Sequence, residues 1–320
     1  MSEIYSEIIG VGSYLPEKVL SNEDLSRMVD TSDEWIYTRT GIKERRIAAD
    51  NETTSDLCVK AISEALKNAN ITPEEVDLLV IGTITPDLIF PATSCIVQKK
   101  LGLKNAVAFD IQAACSGFVY GLTVVDAMIK SGKYKTAVVV GAETLSRITD
   151  WQDRTTCVLF GDGAGAAVVR ATDKKTGILS YSIKSDGNYV DVLKSTGGPS
   201  ATKTSGTIYM EGKEVFKLAV LRMPEISKEV LANAGYTTAD VDCFIPHQAN
   251  VRIIDAALKN LDIPEEKVVK SIEKHGNISS ACIPLALSIA VKNGQVKKGD
   301  KVLLTAMGAG FTWGAIFLEY

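Results

Sequence analysis

"ALKNANITPEEVDLLVIG", residues 65–82, decides the fold because the chain says it twice. "VLANAGYTTADVDCFIPH", residues 230–247, aligns with it without a gap. Leu66, Asn68, Ala69, Thr72, Val76 and Asp77 recur as Leu231, Asn233, Ala234, Thr237, Val241 and Asp242, each 165 residues on. Self-similarity of this kind marks a duplicated structural unit and has to be settled before any other element is assigned. A second pair supports it: "CSGFVYGLTVVDAMIKSGKYK" from Cys115 resembles "NISSACIPLALSIAVKNGQVK" from Asn277. Phe118, Leu122, Val125 and Ile129 fall at helical spacing, as do Ile283, Leu287 and Val291. Lys130-Ser131-Gly132 and Lys292-Asn293-Gly294 close the two helices with glycine at the expected stop. The offset here is 162, which sets Cys115 in register with Asn277, while the first match sets His247 opposite Gly82. On this reading two related halves meet about a pseudo-twofold, with the starts of equivalent helices near one another.

Strand-like runs "LLVIGT", "AVAFDI", "TAVVVGA" and "KVLLTAMG" alternate with the helices and predict an α/β architecture with buried central strands. The segment "LKSTGGPSATKTSGT", 193–207, reads as a mobile surface loop between the halves, of a kind that can act as a lid.

Composition bounds the function. A chain of 320 residues, 46% hydrophobic and 23% charged, has the makeup of a globular protein with a large core. A net charge of −4 offers no global attraction for nucleic acid or an anionic membrane, so any acidic partner must meet a local basic patch. No window reaches the roughly 18 apolar residues of a membrane span and the N-terminus lacks the pattern of an export signal; the expected location is the cytoplasm. Six cysteines lie far apart with no CxxC pair, which argues against zinc, redox and disulfide frameworks. No metal site is expected. The two histidines, His247 and His275, are the only side chains whose ordinary pKa lies near neutrality.

Cys115, in "DIQAACSGF", stands where a buried strand gives way to a helix. A thiol there faces the orphan N–H groups and positive end of the helix, which can lower its pKa from roughly 8.5 toward neutrality. The stretch leaves two readings open, a buried structural thiol and a nucleophile. His247, in "IPHQANVRII", ends an apolar strand and is followed by polar Gln248 and Asn250, which suggests exposure to a cleft; a satisfied structural histidine is the other reading. Asn277, in "KHGNISSACIP", reads as a helix cap or as part of a site shared with Cys115, and His275 as support for that turn. "GDGAGAAVV" formally fits a dinucleotide fingerprint, but it leads into strand-like sequence and reads as tight strand packing. "DTSDEWIYTRTGIKERR" sets Trp35 among Arg39, Arg45 and Arg46, suited either to stacking a base and pairing phosphates or to a core tryptophan beside a solvated charge run. "MGAGFTWG" follows a strand and offers either backbone donors for an oxyanion or a plain β-turn.

Taken together, "QAACSG", "PHQAN", "HGNISSA", "FGDGAGA" and "GAGFTWG" resemble the β-ketoacyl-[acyl-carrier-protein] synthase III family along nearly the whole chain. The resemblance implies a thiolase-like fold of two similar halves in five αβαβα layers: residues 1–172 carry the nucleophile, and residues 173–320 carry the His and Asn. It implies a decarboxylating Claisen condensation of an acyl-CoA primer with malonyl-acyl carrier protein. Cys115 would carry the acyl group; His247 and Asn277 would hydrogen-bond the malonyl thioester; the backbone N–H groups of Cys115 and Ala309 would form an oxyanion hole. Trp35 and Arg154 would sandwich the adenine of CoA, with Thr31, Arg39, Asn250 and Arg252 around the mouth. Lys217, Arg252 and Lys259 would meet the acidic carrier protein, and Phe90 would reach into the acyl pocket of the partner in a homodimer. Phe90 also suggests a short primer. No cofactor is implied, since acyl-CoA is a substrate. The family pattern is departed from at Ile278, where Thr is common, and Met307, where Phe is common. A specialised-metabolism synthase, a papain-like hydrolase and an inactive thiolase-fold scaffold are the alternatives.

Overall fold

The computed structural model describes residues 3–320. The first half runs β1 (Tyr5–Tyr14), β2 (Lys18–Ser21), α1 (Asn22–Ser26), α2 (Asp33–Thr40), β3 (Glu44–Ile47), α3 (Thr54–Ala69), β4 (Leu78–Gly82), α4 (Thr93–Leu101), β5 (Val107–Ile111), α5 (Gly117–Lys130), β6 (Thr136–Thr144) and β7 (Asp162–Thr172). The second runs β8 (Gly177–Ser185), β9 (Leu193–Ser195), β10 (Ile208–Met210), α6 (Gly212–Ala234), β11 (Cys243–Pro246), α7 (Val251–Leu261), α8 (Cys282–Lys292), β12 (Lys301–Gly308) and β13 (Thr312–Glu319).

The residues that recur in sequence recur in role. Thr72 and Thr237 each open a short 3-10 turn with a capping box, completed by Glu75 and Asp240. Asp77 then accepts the backbone N–H groups of Lys135 and Thr136 at 2.8 and 3.1 Å, and Asp242 accepts that of Lys301 at 2.9 Å. Each aspartate thus pins the start of the neighbouring strand, β6 or β12. The sheets repeat as well. The first has the order β1-β7-β6-β4-β5 and the second β11-β12-β13-β8, so that β11, β12, β13 and β8 stand for β4, β6, β7 and β1. In place of a counterpart to β5, the second sheet has a single bridge between Phe244 and Val268.

Helices α5 and α8 lie between the sheets. Phe118, Leu122, Val125, Ile283 and Leu287 share one core with Val80 and Val139 below and Ile245 and Leu304 above. The outer face of the first sheet is covered by α3 through Leu57 and Ile62, and that of the second by α6 and α7 through Leu218, Met223, Ile254 and Leu258. The order of layers is αβαβα. No helix among the described residues is long and apolar enough to cross a membrane.

The register of the second repeat needs correction. The two helix starts correspond at an offset of 165, as in the first repeat: 3-10 turns at Ala114–Ser116 and Ser279–Ala281 lead into α5 at Gly117 and α8 at Cys282. Both turns enter through a non-glycine residue at positive φ, Ala114 at 45° and Ser279 at 49°. Cys115 therefore stands opposite Ser280, and Asn277 lies in the turn before it. Helix α8 has 11 residues against 14 in α5, so an alignment anchored on the glycine stops slips by three at the other end. The segment 193–207 is also not a loop between halves. It lies inside the second half, where β9 and β10 pair antiparallel as an exposed hairpin.

Candidate active site

Cys115 sits in the turn ahead of α5, and the strand that carries "MGAGFTWG" packs against it. A Cβ at Gly308 would come within 2.6 Å of the Cys115 nitrogen, so only glycine lets β12 approach this closely. The Thr312 hydroxyl, at the start of β13, lies 3.0 Å from the carbonyl oxygens of both Ala113 and Ala309 and links the two chain segments. Ser116 donates from its hydroxyl to the Thr312 carbonyl at 3.2 Å.

The thiol is not in the state that the helix start suggests. Burial pushes Cys115 up to about 12; the nearby Ser279 hydroxyl pulls the other way, and Glu143 adds to the rise when it is ionised. It rests as a thiol rather than a thiolate: losing water around the sulfur outweighs what the helix N-terminus returns.

Asn277 is held by its backbone and its side-chain oxygen. Its N–H donates to the Leu159 carbonyl at 2.8 Å, and its carbonyl accepts from Gly161 at 3.0 Å. Its Oδ1 accepts the Ser279 N–H at 2.9 Å and faces the Cys282 sulfur at 3.7 Å. The amide is thereby oriented with its oxygen committed, and its NH2 group keeps both donors. Cys282 also reaches the Gln248 carbonyl at 3.6 Å, which ties the Asn277 turn to the residue after His247.

His247 follows β11 and is buried, not open to a cleft as its polar neighbours suggested. Gln248, also buried, spends all four hydrogen-bonding positions on backbone: Pro246 and Val269 carbonyls, and the Ser271 and Ile272 N–H groups. It braces the histidine from behind. Burial lowers the His247 imidazole to about 3, and its Nδ1 has no hydrogen-bond partner among the described residues. The ring is neutral, with one N–H to donate and one nitrogen to accept. His275 does not join it: its two ring nitrogens lie 2.7 Å from the Gly276 carbonyl and 2.9 Å from the Ser271 hydroxyl, inside the turn it was expected to support.

A cavity of about 1350 Å³ opens over Cys115 and is lined by Ala309, Phe90, Ile148 and the hairpin residues Leu193 and Ser205, among others. Ser279, two residues beyond Asn277, lines this cavity beside Cys115. Phe90 is 82% exposed and Ile89 76%, an apolar ridge at the cavity edge.

The remaining residues from the sequence fall in two groups. Trp35 and Arg39 lie on α2, where the Arg39 guanidinium is 4.5 Å and that of Arg154 5.1 Å from the indole centre. Arg154 donates to the Asp30 carbonyl at 2.7 Å, and Thr31 Oγ1 is buried with no hydrogen-bond partner among the described residues. Helix α7 starts beside α2: a Cβ at Gly41 would meet that of Val251 at 2.8 Å. Asn250 caps α7 by accepting the Arg252 N–H at 2.8 Å. Arg252 lies 5.9 Å from the ring of Phe216, the residue before Lys217 on α6, with Lys259 two turns along α7. Arg45 and Arg46 leave this group. Arg45 is fully buried, donating to the Leu20 and Val158 carbonyls and to Asn22 Oδ1, and Arg46 pairs with Glu44.

Sequence reading missed the polar floor of the site: Ser279, Ser280, Cys282 and above all Glu143, which is fully buried. The signal was present, a single acid closing the apolar run "TAVVVGAE".

Residues 109–187 match the family described as 3-Oxoacyl-[acyl-carrier-protein (ACP)] synthase III, and residues 231–320 match its C-terminal counterpart. A β-ketoacyl-[acyl-carrier-protein] synthase III of Xanthomonas euvesicatoria is 54% identical over 99% of both chains. The crystal structure of a 3-oxoacyl-[acyl-carrier-protein] synthase III from Aquifex aeolicus is 52% identical, covers 98% of this chain and 100% of its own, and superposes with a TM-score of 0.95. A priming β-ketosynthase of a polyketide biosynthetic pathway is 37% identical with a TM-score of 0.94, covering 99% of this chain and 97% of its own. Matched along its whole length in sequence and in the placement of both duplicated halves, the chain belongs to the β-ketoacyl-[acyl-carrier-protein] synthase III family.

Proposed function

We propose that the protein is a priming condensing enzyme: it joins an acyl group from acyl-CoA to malonyl-acyl carrier protein, releasing CoA and carbon dioxide and starting fatty acid synthesis. The observation that carries this reading is the commitment of Asn277 Oδ1 to the Ser279 N–H, which leaves two fixed N–H donors on a turn that touches Cys115.

In the first half-reaction the Cys115 sulfur attacks the thioester carbon of acyl-CoA. The new C–S bond forms as the bond to CoA sulfur breaks, and the thiol proton ends on the departing CoA. Because Cys115 is protonated at rest, its proton passes to the departing CoA sulfur as the new C–S bond forms; His247, held neutral at about 3, is too weak a base to take it and serves as a hydrogen-bond donor. In the second half-reaction the malonyl C–C bond to the carboxylate breaks and its electron pair becomes an enolate. The His247 N–H and the Asn277 NH2 stabilise the enolate oxygen, the place where negative charge develops. The enolate carbon attacks the acyl-Cys115 carbonyl, whose oxyanion is held by the N–H groups of Cys115 and Ala309. Cys115 leaves as thiolate and takes up one proton from solvent, the proton that the overall condensation consumes.

The same reading gives Trp35 and Arg154 the adenine, with Thr31, Arg39, Asn250 and Arg252 around the CoA mouth. At 5.1 Å Arg154 rests on the indole, so it swings away from the ring to admit a base between them. Lys217, Arg252 and Lys259 form the carrier-protein face. The exposed Ile89–Phe90 ridge supports a homodimer in which Phe90 closes the partner's acyl pocket, selecting a short primer. The division at residue 172, a cytoplasmic location and independence from any cofactor belong to the same reading. The test is the rate of 3-oxoacyl-carrier-protein formation from malonyl-acyl carrier protein with a panel of acyl-CoAs. Turnover with short acyl-CoAs is expected. No turnover with any member of the panel, or a preference for long chains, contradicts respectively the function and the primer.

A further inference from the structure

Glu143, near the end of β6, is fully buried where the Ser279–Ala281 turn packs onto that strand. Its Oε2 accepts three hydrogen bonds, from Thr83 Oγ1 at 3.2 Å, the Ile84 N–H at 3.1 Å and Thr85 Oγ1 at 2.7 Å. Its Oε1 lies 2.9 Å from Ser280 Oγ, which in turn lies 2.8 Å from the Gly82 carbonyl oxygen. A serine hydroxyl has one hydrogen to give, and a carbonyl can only accept. The two acceptors compete for that one hydrogen; with it on the shorter contact, to Gly82, the contact with Oε1 is a hydrogen bond only if the carboxyl supplies the hydrogen. Oε2, already serving three donors, has no room for it.

We infer that Glu143 is a positioning residue that works as a neutral acid. Its Oε1–H donates to Ser280, joins a strand of the first half to the Asn277-bearing turn of the second, and keeps a negative charge away from Cys115. None of its partners is a cation. Burial, only partly offset by the hydrogen bonds that Thr85 and the Ile84 N–H donate, raises its carboxyl to about 7. The titratable groups that feel its charge are Cys115, Cys282 and Cys58, and ionisation of Glu143 pushes each of these thiols higher. Loss of this proton above neutrality thus counts against the Cys115 thiolate.

The inference rests on Cys115 being the nucleophile, but its test needs no acyl-CoA. The rate of Cys115 alkylation by iodoacetamide, mapped by peptide mass spectrometry, is followed from about pH 6 to about pH 9 in the wild type, Glu143→Gln and Ser280→Ala. Glutamine mimics the protonated acid at every pH. Near pH 6 the wild type and Glu143→Gln should agree within about twofold, and near pH 8.5 the variant should react roughly three- to tenfold faster, the effect of up to one pKa step on the thiol. Ser280→Ala removes the acceptor of the proton, so Glu143 ionises more readily and the suppression of alkylation begins at lower pH. Superimposable profiles for all three proteins overturn the inference, as does Glu143→Gln reacting slower near pH 6 or a Cys115 inert throughout. Should Glu143→Gln not fold, the direction of the Ser280→Ala shift decides alone. Alkylation as expected, without acyl transfer from any acyl-CoA, removes the proposed function and leaves this inference standing.

Discussion

Lowering the pH from 7.5 to 5 should strain the protein through its two histidines, and His247→Gln isolates the share of one. An unfolded imidazole takes up a proton near 6.5, whereas burial holds folded His247 neutral down to about 3. Its folded pKa is depressed, so the stability that it contributes is present above about pH 6.5 and is lost as pH falls toward about 3. At pH 5 the unfolded state is favoured over a pH gap of about 1.5, worth about 2 kcal/mol at about 1.4 kcal/mol for each tenfold. His275, lowered to about 4 chiefly by burial, loses a further 2 kcal/mol or about that by the same arithmetic. Glu143 acts in the opposite sense: raised to about 7, it favours the folded state as pH falls, so the wild type alone gives only a net value. The comparison that isolates His247 is guanidinium unfolding of wild type and His247→Gln at both pH values, with linear extrapolation to water. The variant should lose about 2 kcal/mol less than the wild type between pH 7.5 and 5. Parallel losses in the two proteins, or a His247 imidazole that titrates near 6.5 by NMR, would refute the neutral buried ring on which its role as a hydrogen-bond donor depends.

The other predictions concern the site directly. Asn277→Ala removes the two oriented N–H donors, and decarboxylation should slow by about 10²- to 10³-fold while acyl-Cys115 still forms, as single-turnover kinetics of each half-reaction would show. Gly308→Ala drives a methyl to 2.6 Å from the Cys115 nitrogen, and acylation should fail with a stability loss of about 1–3 kcal/mol, read by denaturant unfolding. Trp35→Ala should raise KM for acyl-CoA roughly tenfold, with kcat nearly unchanged, by removing a stacking surface worth about 1–2 kcal/mol. Ile89→Asp on the exposed ridge should convert a homodimer to monomer in light scattering; a variant that stays dimeric would move the interface elsewhere.

How much of this the sequence carried depends on whether the signal was periodic. The duplication was legible because Asp77 and Asp242, Thr72 and Thr237 do the same backbone work in each half, so identity survives where a hydrogen bond demands it. The strands and an α/β architecture follow from apolar runs and helix stops, whereas the five αβαβα layers came through the family resemblance. The register at Asn277 was not legible, because the glycines that anchor the alignment follow a helix three residues shorter in the second half. The expectation that Cys115, His247 and Asn277 share one site came through a family resemblance, and their protonation states did not come at all. A thiol beside a helix N-terminus reads as acidic, yet the burial that raises it is a property of packing around α5 and α8 that no local motif states. Arg45 misled in the same way: a charge run looks solvated until its third member proves to be a fully buried donor to Leu20, Asn22 and Val158.

The central claim is that Cys115 carries the acyl group between the two half-reactions, and the mass of the intact protein tests it most directly. Acetyl-CoA, or a longer or branched acyl-CoA, should add one acyl group to the wild type and none to Cys115→Ala, and malonyl-acyl carrier protein should then discharge it as a 3-oxoacyl product. An adduct that persists in Cys115→Ala, or no adduct with any acyl-CoA, would contradict the account.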